Sequence, residues 1–279
     1  MRDFKTCLSG LFIFAILMNA GLILQAQPSP GQLADQIIDR NNERLSQIHT
    51  IEIEVTMGEG GIIPASATRY IKRTEQGRSW LEPEGDDPDM DSGLLSGVFD
   101  DQVPILISGA SSISNESMNG YRVYKVVVDD VDLLNRLIED DFEFEDDMDM
   151  EMEVKRATMW IDRDELIARK MFFEQTDEYG NDLNVEITLS DYREHQGLPI
   201  AHSVSVKMSG IDTQFTEEDI AEARQALREL EQQLQQMPEA QREMIERQLR
   251  PQIERFEQMI ESGEIGEIIF RVTDVRVNP

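Results

Sequence analysis

The sequence predicts an α+β fold: an antiparallel sheet built as a meander, with a few helices laid against it. Three observations carry that expectation. Strand-like alternation recurs along the chain, in IEIEVTM (51–57), YRVYKVVV (121–128), DLNVEITLSDYRE (182–194) and LPIAHSVSVKM (198–208). Apolar side chains at alternate positions put one strand face on a core and the other in water. Short breaks such as Gln76-Gly77 and His195-Gln196-Gly197 separate such runs and suit hairpins. Helical periodicity is clear in residues 29–48, 131–140 and 216–262.

Taken in order, the chain opens with Arg2 and Lys5, an apolar run from Leu11 to Leu24, and then Leu24-Gln25-Ala26 with Pro28 and Pro30 beyond. This is the pattern of a secretory signal cleaved after Ala26, and the run is too short for a stable membrane span. Cys7, the one cysteine, lies ahead of the apolar run and would leave with the signal, so the mature chain is expected to have neither disulfide nor thiol chemistry. Ser29 and Pro30 suit the cap and first turn of a helix whose Leu33, Ile37, Leu45 and Ile48 share a face. Strands follow at 51–57, 67–74 and 78–84. Residues 85–120 read as irregular, with short apolar helical pieces. Asp87, Asp89 and Asp91 alternate as in a calcium loop, but Ser92 and Val98 stand where glycine and glutamate belong, so a solvated loop is expected.

After the strand 121–128 and the short helix 131–140 comes FEFEDDMDMEMEV (142–154). Its odd positions are all acidic, and its even positions are apolar except Asp146. An unbroken strand from Phe142 to Ile161 would run roughly 66 Å, too long for an ordinary sheet. A three-residue loop at 145–147 would pair Phe144 with Met148 and Phe142 with Met150. A bulge near 155–157 would also break the run, and the two are compatible. Strands are then expected at 155–164, 165–177, 182–194 and 198–208. In 216–262, Ile220, Ala223, Leu227, Leu230, Leu234 and Met237 recur at spacings of 3, 4, 3, 4 and 3, the spacing of a two-helix seam. Met237-Pro238 makes the corner, and Ile245, Leu249, Ile253, Phe256 and Ile260 continue on a second helix. The expected organisation is a signal peptide (1–26), a main domain (27–215), an inserted αα-hairpin (216–263) and a final strand returning to the sheet (264–279).

Composition excludes some functions. With 56 acidic against 26 basic residues and a net charge of −30, the chain repels nucleic acid and anionic membrane surfaces. No nucleophile elbow, phosphate loop or zinc-protease helix motif occurs, so neither enzymatic activity nor a cofactor is expected. His195 and His202 flank one hairpin turn and are close enough to meet, but a zinc site would need two more ligands. Met148, Met150 and Met152 suit an adaptable apolar lining; for Cu(I) their sulfurs would have to converge on one point.

Residues 154–208 carry Trp160-Ile161-Asp162 at the end of one strand. Ser190-Asp191-Tyr192-Arg193 stands at the end of another, ahead of Gly197-Leu198-Pro199-Ile200. With the opening helix LADQIIDRNNERLSQI, the strand IEIEVTM and the strand NGYRVYKVVV, this resembles the periplasmic lipoprotein carriers of the LolA/LolB-like family. The resemblance implies a strongly curved antiparallel half-barrel with helices on its concave side and an apolar cavity between them. It also implies a soluble periplasmic protein that binds lipid or lipoprotein acyl chains. Phe142, Phe144, Met148, Met150, Met152 and Trp160 are the expected lining. Arg69 and Arg73 are the nearest counterparts of the family's lid-contacting arginine. Pro199 precedes Ile200, the reverse of the family's order, and the segments 129–153 and 216–262 are additions; the latter would brace the sheet or dock a membrane-associated protein partner. An envelope sensing module on the same fold, and a copper or calcium binder, are the alternative readings.

Overall fold

A computed structural model describes residues 27–57, 66–84, 99–141, 153–176, 180–210 and 264–279. The expected signal peptide, the calcium-like loop and the αα-hairpin lie outside these residues, as do Phe142, Phe144, Met148, Met150 and Met152. The described elements are α1 (Pro30–Arg44), β1 (Thr50–Met57), β2 (Ser66–Glu75), β3 (Arg78–Pro83), α2 (Gln102–Ser108), β4 (Ser112–Met118) and β5 (Tyr121–Val128). They continue with α3 (Val131–Asp141), β6 (Glu153–Asp162), β7 (Ala168–Thr176), β8 (Asp182–His195), β9 (Leu198–Ser209) and β10 (Glu264–Val277).

All ten strands form one antiparallel sheet in the order β3-β2-β1-β10-β9-β8-β7-β6-β5-β4. From β4 to β10 it is a meander, as the short breaks predict. β10 then pairs with β1, so opposite ends of the described chain meet in mid-sheet. Asn278 secures the junction: its side-chain oxygen accepts from the His49 backbone N–H at 2.7 Å, and its side-chain nitrogen donates to the Gln47 carbonyl at 3.0 Å. Register slips at Val154/Arg156, Trp160/Ile161, Glu54/Val55 and Ile265/Ile268. The first lies at the expected break in the long alternating run, and such bulges bend and twist a sheet.

The sheet is strongly curved, and two hydrogen bonds from one helix end show it. Asn42 Nδ2 donates to the Gly77 carbonyl in the β2–β3 turn at 2.8 Å. Arg44 Nη2 donates to Glu165 Oε2 in the β6–β7 turn at 2.9 Å. In a flat sheet those turns, six strand spacings apart, would stand roughly 29 Å from each other. Two residues of helix advance only about 3 Å, so the strands must curl around α1 for its end to reach both. Among the described strands β3 and β4 are the edges, and they do not pair to close the sheet.

α1 forms where the sequence places it, with a capping box: Ser29 Oγ accepts from the Gln32 N–H and Gln32 Oε1 accepts from the Ser29 N–H. It ends at Arg44 rather than at residue 48. The Ser46 hydroxyl donates to the Glu43 carbonyl at 2.7 Å, a local bond that competes with continuing the helix. Leu45 and Ile48 remain buried in the turn that follows. Leu33 and Ile37 meet Ile51, Ile53 and Val55 of the sheet in a single core, to which Val103 and Ile107 of α2 and Leu134 of α3 also belong. The β4 strand, SISNESM, was not expected from sequence. It is an edge strand with one buried side chain, Ile113, and so shows no apolar alternation.

Candidate functional site

The concave face between the helices is built from two apolar rows that cross the sheet. Cross-strand pairing aligns Met159, Met171, Ile187, Val206 and Ile268 in one row, on β6 to β10. It aligns Ala157, Phe173, Val185 and Met208 in the next, on β6 to β9. Antiparallel partners share a face. These rows therefore look toward the same side as the core residues Ala157, Met159 and Ile161. The helices pack mainly on the wings of the sheet: α1 on β3, α2 on α1 and β5, and α3 on β6. In the middle the covering is thinner. Met171, Phe173, Val185, Met208 and Ile268 are only partly buried, whereas Met159, Ile187 and Val206 are buried. The result is an apolar stretch with three thioethers, which are flexible and polarisable and so tolerate differently shaped partners.

Three of the expected site residues are described, and all point the other way. Trp160 lies between the inward Met159 and Ile161, on the convex face. Its ring nitrogen donates to Glu116 Oε2 at 3.1 Å, and the Lys125 and Lys170 ammonium groups stand 5.6 and 5.3 Å from the ring centroid. Arg69 and Arg73 flank the inward-facing Tyr70 and Lys72, with the opposite orientation; they pair with Glu84 and Glu82. Single-residue parity is the physical reason for this correction: one step along a strand moves a side chain to the other face. Met171, Phe173 and Met208 were missed. Their signal is present in the alternation of RKMFFE and SVSVKM, but the strand partners that align them are not legible in one chain.

At one end the sheet is shut by tight turns and charged contacts. Gln76-Gly77, Asn119-Gly120 and Gln196-Gly197 each have two successive positive φ values, the signature of two-residue type I′ hairpin turns. Between β6 and β7 the carboxylate of Asp162 organises a longer corner. Its Oδ1 accepts from the Asp164 and Glu165 backbone N–H groups at 2.9 and 3.1 Å. Its Oδ2 accepts from Arg169 Nε and Nη2 at 3.1 and 2.9 Å. The Arg169 guanidinium stacks 4.0 Å from the Tyr121 ring centroid and 4.8 Å from that of Tyr192. The Tyr192 hydroxyl donates to the Ala168 carbonyl. Burial opposes ionisation of Asp162, but these hydrogen bonds and the Arg169 charge hold its pKa below the ordinary value. Burial raises that of Tyr192.

His195 and His202 do meet. Their Nε2 atoms are 2.9 Å apart, and the rings are nearly coplanar at 13° with centroids 5.1 Å apart. The rings are end to end, as one N–H···N bond requires, rather than splayed around a shared ion. His202 Nδ1 faces the Val272 carbonyl at 3.2 Å, so it carries a proton and donates, leaving His195 Nε2–H as the donor to His202 Nε2. Burial, and then the nearby Arg193 charge, lower both pKa values, so the pair is neutral at pH 7. Among the described residues no three histidine, cysteine or acidic side chains gather in a way that holds a metal ion.

No family model matches the sequence, and no curated protein matches it. Three solved structures are similar to this chain over most of its length, at low identity and low TM-score. An outer-membrane lipoprotein-sorting protein domain from Vibrio parahaemolyticus is 11% identical with a TM-score of 0.35, over 88% of this chain and 93% of that one. A DUF1329 family protein from Desulfovibrio piger is 8% identical with a TM-score of 0.39, over 90% and 94%. A LolA superfamily protein from Nitrosomonas europaea is 8% identical with a TM-score of 0.29, over 88% and 94%. Among the described residues the sheet has ten antiparallel strands and is curled and unclosed, with helices on the concave side. The fold is an open, curled antiparallel half-barrel. In this half-barrel the sequence elements Trp160-Ile161-Asp162 and Ser190-Asp191-Tyr192-Arg193 have a structural meaning, since Asp162 and Tyr192 converge on Arg169 to build the closed end. Among the described residues no helix is long and apolar enough to cross a membrane.

Proposed function

We propose that this protein is a periplasmic carrier that binds lipid or lipoprotein acyl chains along the concave face and shields them from water. The observation that carries the reading is the pair of apolar rows crossing β6 to β10, with Met171, Phe173, Val185, Met208 and Ile268 partly uncovered between the helix-bearing wings. The driving force is removal of methylenes from water, at about 0.8 kcal/mol each. Methionine in the lining favours tolerance of different chains over selection of one. The reading needs no covalent step and no cofactor. Phe142, Phe144, Met148, Met150 and Met152, whose apolar faces share one parity, are proposed to extend the lining from the segment that joins α3 to β6.

Native mass spectrometry of protein purified from its own cell envelope tests the reading. Co-purifying lipid at a fixed ratio is expected, with loss of that lipid in Met208→Asp, which places a carboxylate in the second row. Protein carrying no lipid, and showing no uptake of an acyl probe in solution, would sink it.

A further inference from the structure

The inward stripe of α1 runs through Leu33, Ile37 and Asn41 and ends on Arg44, which lies on the same face one turn later. The Arg44 side chain is only 7% exposed. Its Nη2 bonds Glu165, but its Nη1 is buried and finds no acceptor among the described residues. A guanidinium is a planar fork suited to a carboxylate, and one buried with a bare edge is costly until something accepts from it. Burial first, and then the neighbouring Arg40, already pull the Arg44 pKa down, against Glu165, which raises it; an added anion relieves both effects.

The surroundings favour a negative group. Arg40 pairs with Glu43, Arg169 with Asp162, and Arg44 with Glu165, while the Lys72 ammonium donates to the Leu45 carbonyl. Among these named side chains four cations face three carboxylates, in a chain of net charge −30. This is also the end shut by two-residue turns, so a group reaching it from the concave face must be small and must travel past apolar side chains. We propose that Arg44 binds the carboxylate of a single-chain fatty acid whose tail runs parallel to the strands across the two apolar rows, head toward the closed end. This inference rests on the acyl-binding reading and narrows it, since a bulky phosphodiester head would have to remain at the opposite end.

The test is titration of the purified protein with palmitic acid, palmityl alcohol and methyl palmitate, which share a tail and differ in charge. The acid is expected to bind roughly tenfold more tightly than the other two, the scale of a charge-assisted hydrogen bond to a buried guanidinium. In Arg44→Met the preference should vanish while the alcohol binds as before. Equal binding of acid and alcohol to the wild-type protein would overturn the proposal, as would a preference that survives Arg44→Met. If that variant does not melt as a folded protein, Arg44→Lys is measured instead; it keeps the charge without the fork, and an undiminished preference for the acid there also overturns the role of the fork. Failure of all three probes to bind would overturn the acyl-binding reading, and the Arg44 assignment with it.

Discussion

The two ends of the curved sheet are built on different principles. At one end the strands turn back in the minimum space: three hairpins use two residues each, and the β6–β7 corner is fixed by a buried carboxylate, a stacked arginine and two tyrosines. At the other end the connections 58–65, 84–111, 129–152 and 210–263 leave and return. The acidic alternating run and the long heptad-like segment both fall in these. One end therefore holds the sheet's curvature, and the opposite end is where the chain spends its extra length.

The contrast can be broken most severely at Asp162. Asp162→Ala leaves Arg169 buried without its carboxylate and removes the acceptor of two turn amides. A loss of about 3–5 kcal/mol in unfolding free energy is expected from urea denaturation. A loss below about 1 kcal/mol would mean that the corner is not what fixes the closed end.

A smaller effect is expected from acid. His195 and His202 have pKa values lowered by burial. Their neutral pairing therefore contributes full stability above the unfolded value of about 6.5, and that contribution is lost as pH falls through the folded values. The groups facing them are Asp191 and Arg193 on β8 and Asp274 on β10. The melting temperature should drop between pH 7 and pH 5, and His202→Asn should flatten that dependence. A melting curve with the same pH slope in both proteins would count against the pair.

Glycines sharpen the comparison further. Gly197 has φ +86 with nothing near the position of an added Cβ. Gly197→Ala should cost about 1 kcal/mol, from backbone conformation alone. Gly210, at the other end of β9, has φ +91, and an added Cβ would collide with the Asp182 carbonyl. Gly210→Ala should cost measurably more in the same denaturation series; equal costs would deny the close approach of β8 and β9 there.

The smallest stability change is expected on the concave face. Met171→Ala and Met208→Ala remove partly exposed side chains, so each should cost less than the roughly 2–5 kcal/mol of a fully buried methionine. Acyl-probe affinity should nonetheless fall in both. Variants that bind normally would move the proposed lining elsewhere.

Much of the fold was legible because it rests on local signals. Ser29 with Gln32, the alternation at 51–57, 121–128, 182–194 and 198–208, and the glycine turns each speak for themselves within a few residues. β4 was illegible, since an edge strand that buries only Ile113 has no pattern to show. Of the expected lining residues only Trp160 is among those described, and it lies on the outer face. Alternating methionine and phenylalanine face something apolar, yet which runs share a face depends on cross-strand register and on bulges at Val154/Arg156 and Trp160/Ile161. Trp160 illustrates the point: an aromatic between two inward residues is outward, and only the pairing shows which parity is inward. Arg44 was hidden for another reason. A basic residue at a helix end is ordinary, and its ion-pair partner, Glu165, lies far away in sequence.

The pairing of β10 between β1 and β9 has a consequence for how such a chain matures. Until residues 264–277 are available, β1–β3 and β4–β9 are two separate ribbons with a missing seam. The β1–β10 contacts join positions more than 200 residues apart, so loop closure must precede any reward from them, which slows assembly. A polypeptide wired this way stays incomplete while it is being made or threaded, and its sheet becomes whole only after residues 264–277 have arrived.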